Sequence, residues 1–347
     1  MSKLDSEGEI LKLAAGLKVD WQQNAVQNII ALCHEKISKW LKGNPVKSIA
    51  ELEALVCKKV KLVFEEIRND EDLARVIRKY LALGEPIFAT LKNDLDEKTF
   101  AALIERRKID GSSPDRYVAV IDCRGSKGAR RFFTRWHEIA HLLTLQGQLE
   151  LPLHRSTSDR SPTERLMDVI AGQIGFYDPL FQPILSEETA KAGGLTFAAV
   201  ERIRESFCPE ASFRATLNAC VSRFDSPMLL TEFGLGLKKE EEKLIHSSQI
   251  SLFSVAAPEP KLRVLSVICN AAAKQTHLSI HRNMQVPAGS LLHRFYFGND
   301  HPANDEFQGV ENLNIWRHSD GSCLGHVNIC IQGRRIEQTV VALISPA

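Results

Sequence analysis

The chain has 347 residues, with 44 Lys plus Arg against 43 Asp plus Glu and a formal net charge of +1. Its 44% hydrophobic and 25% charged residues are ordinary globular composition, enough for a core that needs neither metal nor disulfide to fold. The balance excludes a uniformly polybasic nucleic-acid or membrane binder and leaves room only for local basic patches.

Residues 1–7 carry no apolar stretch behind a basic start, so no signal peptide is expected. No uncharged apolar run approaches the roughly 18 residues of a membrane span. The eight cysteines are scattered with no CxxC pair, which predicts free thiols and a cytoplasmic location. A sharper alternative makes one of them a redox sensor.

Helical spacing appears first at residues 20–42, through Val26, Ile29, Ile30, Cys33, Ile37, Trp40 and Leu41, and Gly43-Asn44-Pro45 ends it. Ser48 with Glu51 forms a capping box that opens a second helix. A strand is predicted from Val60 to Ile67 and a helix over 70–81. Phe100 to Glu105 and Tyr117 to Asp122 read as an antiparallel pair across the polar turn Asp110 to Pro114. A basic loop then leads into a helix from Arg130 to Leu145.

Ser161-Pro162 caps the next helix, which Asp178-Pro179 is expected to close. Helices are predicted at Ser186 to Ala192, Phe197 to Phe207 and Ala211 to Phe224. Beyond residue 225, short strands alternate with turns. Candidates are Leu229 to Phe233, Leu262 to Cys269, Leu278 to His281, Leu291 to Phe297, Leu313 to Trp316, Val327 to Ile331 and Thr339 to Ile344, with Ala256 to Pro260 as a linker. The expected fold class is α+β.

The chemical signal is Trp136-His137-Glu138-Ile139-Ala140-His141, an HExxH sequence inside a predicted helix. His137 and His141 stand at i and i+4, about 6 Å apart at Cβ, so both imidazoles reach one Zn²⁺. Glu138 projects nearby, placed to take a proton from attacking water as general base. A catalytic zinc needs a third protein ligand. Gly147 stands where a metzincin would have its third His, so that class is excluded. Glu164 is the leading third ligand, with Glu150, Glu187 and Glu188 as competitors. Asp168, four residues on, shares the Glu164 face and is placed to orient a ligating His as its outer hydrogen-bond partner.

These residues resemble a known family. Arg131 to Leu143 is similar to the RRxFTxxHExxHLL signature of the ImmA/IrrE metallopeptidases, and Glu164 to Ala171 resembles their ExxANxFA motif, with Asp168 in place of the usual Asn and Ile170 in place of Phe. The resemblance implies a gluzincin-like, zinc-dependent endopeptidase that cleaves a helix-turn-helix transcriptional repressor and so derepresses stress, DNA-damage, mobile-element or defence genes. It also implies a branch with a helical segment and a C-terminal GAF-like sensor domain that takes a small-molecule effector or DNA. The corresponding expectation is a peptidase domain over 1–185 that includes the N-terminal helices, a helical, helix-turn-helix-like segment over 186–255, and a β-rich GAF-like domain over 256–347. Mn²⁺ or Fe²⁺ fits a His₂Glu site as well as Zn²⁺.

Weaker signals remain. Tyr177, His154 and Arg155 are candidate oxyanion donors. Phe100 to Glu105 is either a sheet edge that adds an extended substrate or an ordinary paired strand. Arg106 to Lys108 and the run holding Arg124, Lys127, Arg130, Arg131 and Arg135 either contact phosphate or form a solvated face. The Lys238 to Lys243 charge run reads as a solvated turn or helix of paired charges. His281, His293, His318 and His326, with His277, show no ligand spacing. The alternative function is a DNA-binding regulator that uses residues 186–224 and the basic stretches, with a structural or vestigial metal site.

Overall fold

The computed structural model describes residues 4, 7–106, 116–145, 153–156, 161–238, 240–242, 258–276, 278–298, 305–318 and 320–347. The Asp110 to Pro114 turn, Gly147, Glu150 and His277 lie outside the described residues, as do parts of the 106–108, 238–243 and 256–260 segments. The fold is α+β with two sheets. The chain divides into two compact units, residues 1–186 with 202–216 and residues 187–201 with 217–347.

The first unit begins with α1 (Gly8–Gly16), α2 (Ala25–Leu41) and α3 (Ile49–Val60). The Ser48 side chain accepts from the Glu51 amide at 3.2 Å, as the capping box requires. α1 was not evident in the sequence, because only Ile10 and Ala14 of it are buried. Then follow β1 (Leu62–Ile67), α4 (Asp70–Ala82), α5 (Leu91–Asp94), β2 (Thr99–Glu105), β3 (Tyr117–Asp122), α6 (Arg131–Leu143), β4 (Leu153–Ser156) and α7 (Pro162–Gly175).

The sheet order is β1-β3-β2-β4, with β1 parallel to β3 and the other pairs antiparallel. β2 and β3 are buried on both faces, which explains their unbroken apolar sequences. Ala102, Ile104, Val118 and Val120 join Val76, Tyr80, Phe88 and Leu91 in one core cluster. Residues of opposite parity, such as Leu103 and Ala119, point to the other face, where α6 packs on β2 and β3. The sheet edge expected at Phe100 to Glu105 is therefore corrected: β2 is interior, and β4 forms the edge on that side. β2 is interior because it pairs with β3 on one side and with β4 on the other, so the paired-strand reading holds.

α8 (Asp178–Ala192), α9 (Phe197–Phe207) and α10 (Phe213–Arg223) contain the points where the chain passes between units. Asp178-Pro179 opens α8 instead of closing a helix, consistent with proline's tolerance in a first turn, where no amide partner is required.

The second unit holds β5 (Leu229–Gly236), β6 (Lys261–Cys269), α11 (Leu291–Phe297), β7 (Glu306–Asn312), β8 (Asn328–Ile336) and β9 (Thr339–Pro346). The sheet is antiparallel, in the order β6-β5-β9-β8-β7. Phe233, Trp316, Ile329, Ile331 and Val340 lie in its apolar core.

Three expected strands are corrected here. Leu291 to Phe297 is α11: Ser290 accepts from the His293 amide at 3.1 Å, and Leu292 and Phe295, three apart, are buried. Leu313–Ile315 is a 3-10 turn in which the Asn312 side chain accepts from the Asn314 amide. Leu278 to His281 joins no ladder. Short apolar runs do not separate strand from turn or helix, and the caps decide. β7 was missed because its residues alternate between half-buried and exposed without a run of large apolar side chains.

Candidate metal centre

α6 carries HExxH across the inner face of the first unit. Trp136, His137, Glu138, Ile139 and Ala140 are at most 2% exposed. α7 packs against it, and the approach is close. A Cβ on Gly175 would fall 2.9 Å from Trp136 Cδ1, so glycine is what lets α7 lie against the indole. Ser161 caps α7 by accepting from the Glu164 amide at 3.2 Å, with Pro162 in the first turn. This fixes Glu164 at the start of α7, facing α6.

His137 Nε2 lies 2.9 Å from Glu164 Oε2, His141 Nε2 lies 3.2 Å from Glu164 Oε1, and the two Nε2 atoms are 3.2 Å apart. Donors 2.0–2.1 Å from a tetrahedral ion stand about 3.3 Å from one another. The observed separations are close to that edge length. The His137, His141 and Glu164 group can hold a metal ion, with its donor atoms all within 4.8 Å of one another. Its composition, two imidazoles and one carboxylate, is that of catalytic sites that keep one position open.

Glu138 is 2% exposed, and among the described residues its Oε1 has no hydrogen-bond partner. Burying an unsatisfied carboxylate oxygen is costly, so such an atom calls for a polar partner brought by a ligand or water.

Asp168 Oδ1 lies 2.8 Å from His137 Nδ1, so the ring presents Nε2 to Glu164. Burial disfavours a charged His137, but the hydrogen bonds it donates to the Asp168 and Glu164 carboxylates outweigh it and raise the pKa. Burial works against the Glu164 carboxylate as well, yet its hydrogen bonds to His137 and His141 hold it well below the usual carboxylate range. A divalent ion bound there would compete with protons for the same donor atoms, the usual coupling of metal binding to pH.

The other sequence candidates fall as follows. Arg155, on β4, donates to Asp168 Oδ1 and to Thr134 Oγ1, each at 3.0 Å, so it supports the outer carboxylate and does not stand as a free donor. Sequence spacing carried no sign of this contact. Tyr177 is buried and stacks on His34, with no described contact to the three ligands. His154 places its backbone opposite Ala102 on β4, and its side chain lies outside the described residues. Glu187 and Glu188 pair with Lys191.

The basic run before HExxH is engaged in ion pairs. Asp122 accepts from Arg124 Nε at 2.9 Å and Lys127 Nζ at 2.7 Å. Arg135 reaches Glu53, Glu66 and Glu210 at 3.2, 2.9 and 2.8 Å, and Arg131 reaches Glu210 at 2.7 Å. Arg130 lies over the Phe100 ring. Arg124, Lys127, Arg131 and Arg135 thus anchor the entrance of α6, while Arg130 is exposed.

No protein-family model matches the chain, and no curated protein matches it.

Proposed function

We propose that the chain is a cytoplasmic zinc-dependent endopeptidase of the gluzincin-like ImmA/IrrE type, whose substrate is a helix-turn-helix transcriptional repressor. One observation carries this reading: the imidazoles of His137 and His141 and the Glu164 carboxylate converge beside a buried Glu138 with an unsatisfied oxygen. When bound, Zn²⁺ would supply Lewis acidity, polarising the scissile carbonyl and acidifying water, and Mn²⁺ or Fe²⁺ in the same donor set would do so too. His137, His141 and Glu164 would hold the ion, and Asp168 with Arg155 keeps the His137 ring in register. Glu138 accepts the proton of the attacking water and passes it to the leaving amine. β4, the sheet edge, is the strand an extended substrate segment would join.

The repressor substrate and the GAF-like sensor role of the second unit rest on the motif resemblance. A five-stranded antiparallel sheet in that unit is compatible with it. The engaged state of Arg124, Lys127, Arg131 and Arg135 weighs against the DNA-binding alternative. No helix among the described residues is long and apolar enough to cross a membrane.

The test is co-expression with a helix-turn-helix repressor from the same genome. Wild type should cleave that partner under DNA damage with zinc present, and Glu138→Ala should leave it intact while retaining metal. Equal survival of the partner with both chains sinks the reading for that substrate.

A further inference from the structure

The second unit contains a cleft of about 700 Å³ with an unusual charge distribution. Lys238, Arg263, Arg282 and Arg317 line it together with His281 and His318, and Glu240 is the acidic residue in the lining. That is four formal positive charges against one negative.

Arg263 carries the argument. It lies on β6 between Leu262 and Val264, which both enter the apolar core, so strand alternation turns Arg263 to the opposite face. There it is nevertheless only 2% exposed. Its guanidinium donates from Nε to the Gly236 carbonyl and from Nη1 to the Asn283 carbonyl, each at 3.2 Å. The nearest described carboxylate, Glu241, stands 4.0 Å from Nη2, at the outer limit of an ion pair, and also accepts from the Lys238 amide. Backbone carbonyls orient the group but cannot neutralise it. Among the described residues the one carboxylate paired with it stands at the limit of that distance, and a buried cation so weakly compensated is costly unless an anion completes it.

The backbone places the other cations around this group. Val264 and Leu262 exchange hydrogen bonds with Asn283, Met284 and Val286, so residues 283–286 run along β6. Asn283 turns with φ +72°, directly after the exposed His281 and Arg282. Arg317 and His318 enter from the segment after the 3-10 turn.

We propose that this cleft binds a small, multiply charged phosphorylated anion, with Arg263 at its base and Arg282 and Arg317 at its rim. Planar guanidinium forks match phosphate oxygens in pairs, and several of them around one concavity select a compact polyanion over a single charge. A concave site with a buried cation also favours a small ligand over a duplex, whose phosphates lie along an outer surface. This gives the sensor reading of the second unit a ligand class and does not depend on the metal centre.

The test is calorimetric titration of inorganic pyrophosphate into the full chain. The protein is first stripped of metal with a chelator, so that a cation at His137, His141 and Glu164 cannot hold the probe. Ionic strength is matched with chloride. Saturable binding at one site is expected. Arg282→Ala with Arg317→Ala, both exposed at the rim, should weaken it at least tenfold with the circular dichroism spectrum unchanged. Arg263→Lys should weaken it while the chain stays folded, because the charge persists and the fork is lost. The proposal is overturned if pyrophosphate gives no saturable heat, if the rim variants bind as wild type does, or if citrate binds more tightly than pyrophosphate. It is likewise overturned if a DNA duplex binds and the rim substitutions abolish that binding but leave pyrophosphate binding unaltered.

Discussion

Asp168 Oδ1 receives two contacts at once, from His137 Nδ1 at 2.8 Å and from Arg155 Nη2 at 3.0 Å, and so couples a ligand on α6 to the edge strand β4. The arginine offsets the charge that Asp carries and Asn would not. Asp168→Ala should weaken zinc binding about 10- to 100-fold, as loss of an outer hydrogen-bond partner commonly does. Arg155→Ala should have a smaller effect in the same direction. Competition against a chromophoric chelator measures both, and unchanged affinity in Asp168→Ala would remove the residue from the metal centre.

Glu164 and Glu138 should separate cleanly. Glu164→Ala removes a donor and should abolish stoichiometric zinc by elemental analysis. Glu138→Ala should retain zinc and lose hydrolysis by at least 10²-fold, the scale of general-base catalysis. If both variants lose metal equally, Glu138 is a ligand and not a base.

At Gly175, substitution by Ala should destabilise the fold by about 1–3 kcal/mol, because the new methyl meets the Trp136 ring at 2.9 Å. The unfolding midpoint in denaturant reports this. A loss of zinc affinity should accompany it, since the same contact sets the spacing of α6 and α7.

Acid stability should depend on Asp122. Its side chain is fully buried, which disfavours the charge, but hydrogen bonds from Arg124 and Lys127 outweigh burial and lower the pKa. A carboxyl depressed on folding contributes stability that is complete above its unfolded value of about 3.9, and is lost as pH falls through the folded value. Asp122→Ala should cost about 3 kcal/mol at neutral pH, near the lower end for breaking a buried pair, because Arg124 keeps Asp70 as a partner. The difference from wild type should shrink in unfolding curves recorded below about pH 4.

The cysteines should react in order of access. All eight are free thiols, and Cys323 is exposed. Burial pushes the Cys33, Cys57 and Cys220 thiols up to about 12, and a protonated, enclosed thiol is a poor nucleophile. Mass spectrometry after brief alkylation of native protein should find Cys323 modified first and these three last. Early labelling at Cys33 or Cys220 would contradict the packing of α2 or α10.

Much of the metal centre was legible in the sequence because its signals are local. HExxH works through helical periodicity alone, and Ser161-Pro162 announced the helix that presents Glu164. The antiparallel β2–β3 pair was legible for a similar reason, since two apolar runs flank one polar turn. Leu291 to Phe297 was misread because seven largely apolar residues suit either state, and the Ser290 cap is a weaker signal than the run itself.

The sequence by itself determined the elements that periodicity and caps specify, and the ligand set that one helix and one helix start can carry. Only the tertiary structure decided the rest. Placing β2 inside the sheet and β4 beyond it requires knowing that residues 153–156 return to pair with 99–103, some 50 positions away. The partners of Asp168 and Arg135 include residues 13, 31, 69, 75 and 82 positions away, and such pairings leave no local periodicity. The exposure of each charge belongs to the same class. The sequence shows Arg263 as one cation in a balanced chain, and only folding reveals that it is buried, because burial is a property of what packs around a residue and not of the residue itself.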